Sequence, residues 1–251
     1  MDLRLTIDRG NTALKAALWD CDGNILAAAK GDESLPAGEL VQSLAKTAGA
    51  PSDTIVSAAV YCSVVDSDRA DDLDSLRPLC RRLTDLSSAT PMPLTIDYQT
   101  PATLGADRIA AALGALAMAG DNRPLLVSDI GTAVTYDFID LGRVYRGGNI
   151  APGIDLRLRA LAAFTDALPA VSSDGGPTPI WGTTTAEAMR SGAVRGVAAE
   201  LDYYHRSAGI NTLAVLTGGS AELLIRLNLI TFDYIHDPYL VHKGLYSIID
   251  R

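Results

Sequence analysis

Two similar α/β halves, each a meander of strands followed by helices, are the architecture this sequence predicts. Three observations predict it. One pattern occurs twice, as Ile7-Asp8-Arg9-Gly10-Asn11-Thr12 near the start and as Ser128-Asp129-Ile130-Gly131-Thr132-Ala133 near the middle. Each copy follows an apolar run, Leu3 to Ile7 or Leu125 to Val127, and precedes another β-prone run, so each reads as strand, tight turn, strand. The copies stand about half a chain apart, and similar elements follow each. The boundary is expected near residue 120, giving halves of residues 1–120 and 121–251.

The first half is expected to open with strands at Leu3–Ile7, Thr12–Trp19 and Ile25–Ala29. The Asp-Gly signal in Cys21-Asp22-Gly23-Asn24 makes the second hairpin turn. Pro36 to Ala48 has helical apolar spacing, with Pro36 at its start. Thr54–Val60 is β-prone, and Asp66 to Leu79 reads as a helix with a solvated face. Pro91-Met92-Pro93 is extended. Gly105 to Ala119 is the clearest helix, with Ile109, Leu113, Leu116 and Ala117 on one face, and Gly120-Asp121-Asn122 ends it. In the second half, strands are expected at Leu125–Val127, Ala133–Ile139 and Val144–Ile150, with a turn at Asp140-Leu141-Gly142-Arg143. Helices follow at Leu156 to Phe164 and Thr185 to Tyr204, then a strand at Leu213–Thr217 and a helix at Ala221 to Leu227. Asp237-Pro238 opens a last helix through Val241, Leu245 and Ile248. Ser172 to Pro177, rich in Gly and Ser, is the most flexible-looking segment.

Composition narrows the function. A length of 251 residues with 48% hydrophobic residues is enough for a full core. A net charge of −9 argues against non-specific nucleic-acid binding and against docking on an anionic membrane. Cys21, Cys62 and Cys80 have no zinc or redox spacing and are expected to be reduced, partly buried thiols of a cytoplasmic protein. His205, His236 and His242 have no metal-ligand spacing and are expected to be surface or structural. Neither a signal peptide nor a membrane span is expected.

The repeated loop has a definite chemistry. Glycine in the turn brings backbone N–H groups close to a phosphate and tolerates positive φ. Asn11, Thr12 and Thr132 add side-chain donors. Asp8 and Asp129 repel phosphate directly, so they make sense through a bridging cation. Meander then helices, twice over, with a phosphate loop opening each half, matches the actin/hexokinase/Hsp70-like architecture. The expectation is therefore two similar ribonuclease-H-like, actin-like ATPase domains with a nucleotide cleft between them. No G-x-G-x-x-G follows the first strand, which speaks against a Rossmann NAD enzyme.

Between the loops lies Tyr98-Gln99-Thr100-Pro101-Ala102-Thr103-Leu104-Gly105-Ala106-Asp107-Arg108. A helix starting at Thr103 or Gly105 puts Asp107 and Arg108 in its first turn, at the positive end of its dipole. Asp107 there can orient a substrate hydroxyl and take its proton late. Arg108 offers a planar fork for a carboxylate. The same pair is also compatible with a helix-stabilising acid followed by a surface Arg.

With Lys15 added to the first loop, these segments in this order resemble the type III pantothenate kinases. So do Gly147-Gly148-Asn149-Ile150-Ala151-Pro152-Gly153, Gly182-Thr183-Thr184-Thr185 and Thr217-Gly218-Gly219, and together the motifs span nearly the whole chain. The resemblance implies ATP-dependent phosphorylation of the primary hydroxyl of pantothenate, the first step of coenzyme A synthesis. It implies that Asp8, Arg9, Gly10, Asn11, Thr12, Ala13, Leu14 and Lys15 hold ATP, together with Thr132. It implies Asp107 as the base, and Tyr98, Gly105, Ala106, Asp107, Arg108 and Thr185 around pantothenate. It implies Mg²⁺ with the nucleotide, a monovalent cation (K⁺ or NH₄⁺) on Asp129, Gly218 and Gly219 on the nucleotide side, and a homodimer. Two positions depart from the family pattern. Arg9 replaces a small or apolar residue and is expected to point to solvent or to add charge near the phosphates. Thr184 stands where Asn is common. Another small-alcohol kinase of the same superfamily, or a non-catalytic nucleotide-binding regulator, are the competing readings.

Overall fold

The computed structural model describes residues 2–51, 54–120 and 122–250. The chain divides into two compact units, Met1–Gly120 with Tyr239–Arg251, and Asp121–Pro238. Asp121, which opens the second half in the sequence reading, lies outside the described residues.

The first unit begins with three antiparallel strands, β1 (Arg4–Arg9), β2 (Leu14–Trp19) and β3 (Ile25–Gly31). Gly23 sits at φ 84° in the turn between β2 and β3, the conformation that the Asp-Gly signal demands. Helix α1 (Ala37–Thr47) follows, with Pro36 at its N-cap, then β4 (Ala58–Ser63), α2 (Arg69–Leu76) and β5 (Leu83–Asp85). β4 lies parallel to β1, and β5 parallel to β4. The two-residue strand β6 (Thr95–Ile96) and a 3-10 turn at Pro101–Thr103 lead to α3 (Ala106–Ala119).

The second unit repeats the plan. β7 (Leu125–Asp129), β8 (Ala133–Ile139) and β9 (Val144–Pro152) form the antiparallel meander. Helices α4 (Ile154–Ala163) and α5 (Thr185–Ala208) precede β10 (Leu213–Thr217), which lies parallel to β7. α6 (Ala221–Arg226) then leads to β11 (Tyr234–His236), parallel to β10. The sheet order is β3-β2-β1-β4-β5 in the first unit and β9-β8-β7-β10-β11 in the second, so the two units share one topology. Parallel neighbours require crossover helices, which α1, α2, α5 and α6 supply.

The last helix, α7 (Leu240–Tyr246), belongs to the first unit, although the sequence reading counts it with the second half. Glycines explain the docking. A Cβ on Gly244 would stand 1.8 Å from the Ala110 carbonyl oxygen, and one on Gly114 would stand 2.1 Å from that of Leu240. Both helix backbones approach closely because neither carries a side chain at the crossing. This also explains why α3 is buried around most of its girth from Ala106 to Leu116, while Ala117, read as part of one apolar face, is exposed. The opposite face of the first sheet buries Leu5, Ile7, Leu14 and Leu18 against Leu40, Leu44 and Leu76.

Four short elements differ from the sequence reading. β5, β6 and β11 have two or three residues, too few to show a period of two. β4 starts at Ala58 rather than Thr54, because Val56 makes an isolated bridge to Cys80 instead. Among the described residues no helix is long and apolar enough to cross a membrane.

Candidate active site

In the first unit, the chain leaves β1 at Arg9, turns through Gly10, Asn11, Thr12 and Ala13, and enters β2 at Leu14. The Gly10 amide donates to the Ala13 carbonyl at 3.0 Å and closes the turn. Asn11 and Thr12 are exposed at its tip. Ala13 and Leu14 are buried, so what they can offer a ligand is backbone. The Asp8 side chain is itself buried; Lys15 Nζ lies 3.4 Å from its Oδ2. On its other side the Cys62 thiol lies 3.6 Å from Asp8 Oδ1. Burial pushes the Cys62 thiol well up, and the nearby carboxylates of Asp8 and Asp107 push it further. Asp8 and Asp107 therefore both act on one buried neutral thiol.

Arg9 corrects the sequence reading: it neither points to solvent nor reaches toward a phosphate. It is 2% exposed. Its Nε and one terminal nitrogen donate to the two Asp72 oxygens at 2.8 and 2.6 Å. The remaining donors go to the carbonyls of Glu33 and Leu35 at 2.7 and 2.9 Å. Tyr61 and the Ala37 amide complete the satisfaction of Asp72. A forked guanidinium on a fully hydrogen-bonded carboxylate is the arrangement in which a buried ion pair is tolerable.

His242 of α7 lies behind Asp8 on the same face of β1. Its Nδ1 is 2.9 Å from the Thr6 hydroxyl, which also accepts from the Trp19 indole at 2.8 Å. Burial pushes its pKa from 6.5 down to about 4; Asp8 opposes this and Lys15 adds to it. The unfolded chain therefore binds this proton first, and stability is lost as pH falls from about 6.5 toward 4. By pH 5 the loss from this one group should reach ~2 kcal/mol. Urea melts at pH 7 and pH 5 check it: His242→Gln should shrink the pH difference by that amount, and an unchanged difference would remove His242 as its source.

Asp107 is in the first turn of α3, with Gly105 at the N-cap. Its Oδ1 accepts from the Arg108 amide at 2.8 Å. A Cβ on Gly105 would stand 2.5 Å from that same oxygen, so glycine is what lets the carboxylate fold back over the helix start. Ala106 and Arg108 are buried at 6% exposure each, and Tyr98 is half-buried ahead of the 3-10 turn. The surface-arginine alternative for Arg108 is therefore excluded.

In the second unit, the Gly131 amide donates to the Ala133 carbonyl at 2.9 Å, closing the second turn as Gly10 closes the first. Thr132 is exposed at the tip. Neither Gly10 nor Gly131 uses the positive φ that glycine tolerates; beside the second loop, Gly218 does, at φ 92°. A Cβ there would stand 2.3 Å from Asp129 Oδ1 and 2.5 Å from the Ile130 backbone nitrogen. Gly153 makes a second close approach, with the Gly131 carbonyl oxygen 2.1 Å from where its Cβ would be. The Asp129 carboxylate is thus packed against the backbone of Gly218, and the Thr132 carbonyl accepts from the Gly153 amide at 2.9 Å. Gly219 and Ser220 continue into a pocket of about 560 Å³ walled by Asp155 and Arg159 of α4, Val171 to Asp174, and α6.

Thr185 is exposed as the first residue of α5. Thr184 is its N-cap and accepts from the Glu187 amide at 3.2 Å, while Glu187 reaches back to the Thr183 amide. Thr serves as a cap almost as well as Asn, which explains why this departure from the family pattern leaves the helix start intact. The other polar residues that sequence reasoning missed, Cys62, Asp72, Tyr61 and Arg190, carry no local signal, since their partners are distant in sequence.

The sequence pattern of the type III pantothenate kinase family matches residues 4–207. A type III pantothenate kinase of Azobacteroides pseudotrichonymphae is 37% identical, over 98% of this chain and 95% of its own length. Among solved structures, the activator of the 2-hydroxyisocaproyl-CoA dehydratase from Clostridium difficile, with bound ADPNP, superposes with a TM-score of 0.60 at 13% identity, covering 98% of this chain and 94% of its own. An archaeal actin homolog superposes with a TM-score of 0.51 at 11% identity, covering 97% and 98%. These similarities confirm the actin-like fold expected from the two loops.

Proposed function

This chain belongs to the type III pantothenate kinase family, and on that premise we propose that Asp107 orients the primary hydroxyl of pantothenate and takes its proton as the γ-phosphoryl group of ATP is transferred. The product is 4′-phosphopantothenate. The observation that carries the assignment is the Asp107 carboxylate folded over the start of α3, beside a glycine that leaves it room. Arg108, Tyr98 and Thr185 bind pantothenate in this reading. The exposed tips at Asn11, Thr12 and Thr132, the turn backbone from Asn11 to Ala13 and the Lys15 ammonium hold the phosphates. The adenosine end takes the pocket beyond Gly219.

Phosphoryl transfer asks little covalent chemistry of a protein, so positioning and charge stabilisation are the main work. Asp8 and Asp129 fit cation-mediated contact with the nucleotide. Mg²⁺ accompanies ATP, and a monovalent cation at Asp129 would add positive charge to a protein of net charge −9. The Asp129 carboxylate, an oxygen donor in the second loop, is the group that would hold it. Asp129→Ala should abolish activation by potassium. Initial rates over a KCl titration, at constant ionic strength with NaCl, check it; a preserved potassium response would put the cation elsewhere.

We also propose a homodimer acting in the cytoplasm. Ile150 on β9, Phe164 after α4, and Ile180 and Trp181 before α5 are exposed, Trp181 by 85%. Large exposed apolar side chains on one unit are what a partner surface offers. The test of the whole reading is ADP release coupled to ATP, Mg²⁺ and pantothenate, in potassium and then in sodium. Pantothenate-dependent turnover supports the reaction. Its absence in both salts would shift the assignment to another small alcohol or to a regulator.

A further inference from the structure

We propose that Arg190 is a positioning residue for the nucleotide pocket, holding the wall formed by Val171 to Asp174 against α5. The proposal rests on the reading of this pocket as the nucleotide site.

Residues 171–181 contain no helix or strand, and their sequence looks flexible. Yet two guanidiniums from α5 bind the backbone of this segment. Arg190 is 6% exposed. Its Nε donates to the Ser172 carbonyl at 2.9 Å, and a terminal nitrogen donates to the Pro177 carbonyl at 3.3 Å. It thereby bridges the two ends of the Ser172–Pro177 bend. Gly175 and Gly176 make room for it, since a Cβ on either would stand 3.4 or 3.2 Å from the guanidinium nitrogens. Arg195, one turn further along α5, donates to the Thr178 carbonyl at 3.0 and 2.8 Å and to that of Pro179 at 3.2 Å.

The two arginines differ in what they hold. Ser172, Ser173 and Asp174 line the pocket, and Thr178 and Pro179 do not. The wall is itself braced: the Ser172 hydroxyl donates to Asp174, and that hydrogen bond, helped by Arg226 and Arg190, holds the Asp174 carboxyl below its ordinary range. Arg226 lines the same pocket from α6. Arg190 thus pins the loop wall of the pocket to α5 while itself lining none of it. The capping box at Thr184 and Glu187 keeps the start of α5 rigid, so loss of Arg190 frees the wall without moving Thr185.

The experiment compares steady-state kinetics and thermal stability for Arg190→Met, Arg195→Met and Gly219→Trp. Arg190→Met should raise the KM for ATP about tenfold, the equivalent of one charge-assisted hydrogen bond, with the pantothenate KM and kcat little changed. Arg190→Lys, which disturbs packing less but loses the forked donors, should move the ATP KM in the same direction. Arg195→Met should lower the melting temperature and leave the ATP KM alone. A merely structural role for Arg190 would lower the active fraction, and therefore apparent kcat, without this split. An unchanged ATP KM in both Arg190 variants, equal rises in the two KM values, or an equal ATP effect from Arg195→Met would overturn the proposal. Gly219→Trp places an indole in the pocket from a position with no atom within 4 Å. If it weakens ATP while Arg190→Met does not, the pocket stands and the role of Arg190 falls. If it leaves ATP unaffected, the pocket reading falls and takes the role of Arg190 with it.

Discussion

Asp107→Asn is expected to lower kcat by roughly 10²- to 10⁴-fold, the range general-base removal produces, while ATP affinity stays near that of the parent. Asn is nearly isosteric and can still accept the Arg108 amide through its carbonyl oxygen. It can also orient a hydroxyl by hydrogen bonding, but it cannot accept the proton. The substitution therefore separates proton acceptance from positioning. The fold should survive it, because Asp107 is half-buried in a first helical turn and its neighbour Cys62 is neutral. The charge lost from the positive end of the α3 dipole costs about 0.3–1 kcal/mol, too little to unfold the chain. The measurement is kcat and both KM values, with ATP affinity by calorimetry. If turnover stays within a factor of a few of the parent, the base is another group, and Asp8, the other carboxylate acting on Cys62, is next to test.

What was legible in the sequence follows the range of each interaction. The two loops were legible because Asp8 to Thr12 and Asp129 to Ala133 carry their geometry locally, in a turn closed by one backbone hydrogen bond each. The helix carrying Asp107 was legible from its own periodicity and from Gly105. The shared topology of the two sheets followed from that repetition. Arg9 was misread because its partner Asp72 lies 63 positions away and no local pattern announces the pair. The positive-φ glycine beside the second loop lies outside the local pattern for the same reason. Gly131 lies in the loop motif, but the backbone that crowds Asp129 belongs to Gly218, after β10. Arg190 escaped because a loop that looks mobile by composition is held by side chains from a helix that follows it. The placement of α7 was invisible to periodicity, which gives a helix and its apolar face but not the sheet it covers.

That placement has a sharp consequence for stability. A glycine inside a helix ordinarily weakens it, and Gly→Ala usually stabilises by about 0.5–1 kcal/mol. At Gly244 the sign should reverse. The new methyl carbon would begin 1.8 Å from the Ala110 carbonyl oxygen and 2.8 Å from the Gly114 nitrogen. Those are backbone atoms in the middle of a buried helix, so no side chain can rotate away. Overpacking of a core typically costs about 1–3 kcal/mol when side chains can yield. Here whole helices must part, so Gly244→Ala should lose ~3 kcal/mol or more. Gly192 on α5 is the internal control, because nothing lies within 4 Å of its Cβ position. Gly192→Ala should gain about 0.5–1 kcal/mol. Urea melts of the two variants decide the matter, and a Gly244→Ala protein as stable as the parent would mean that α7 is not pressed on α3. The effect should reach the chemistry as well. α3 carries Asp107 at its start and α7 carries His242 against Thr6, two residues from Asp8 on β1, so forcing the two helices apart disturbs the packing behind both carboxylates. Turnover should then fall further than the folded fraction does.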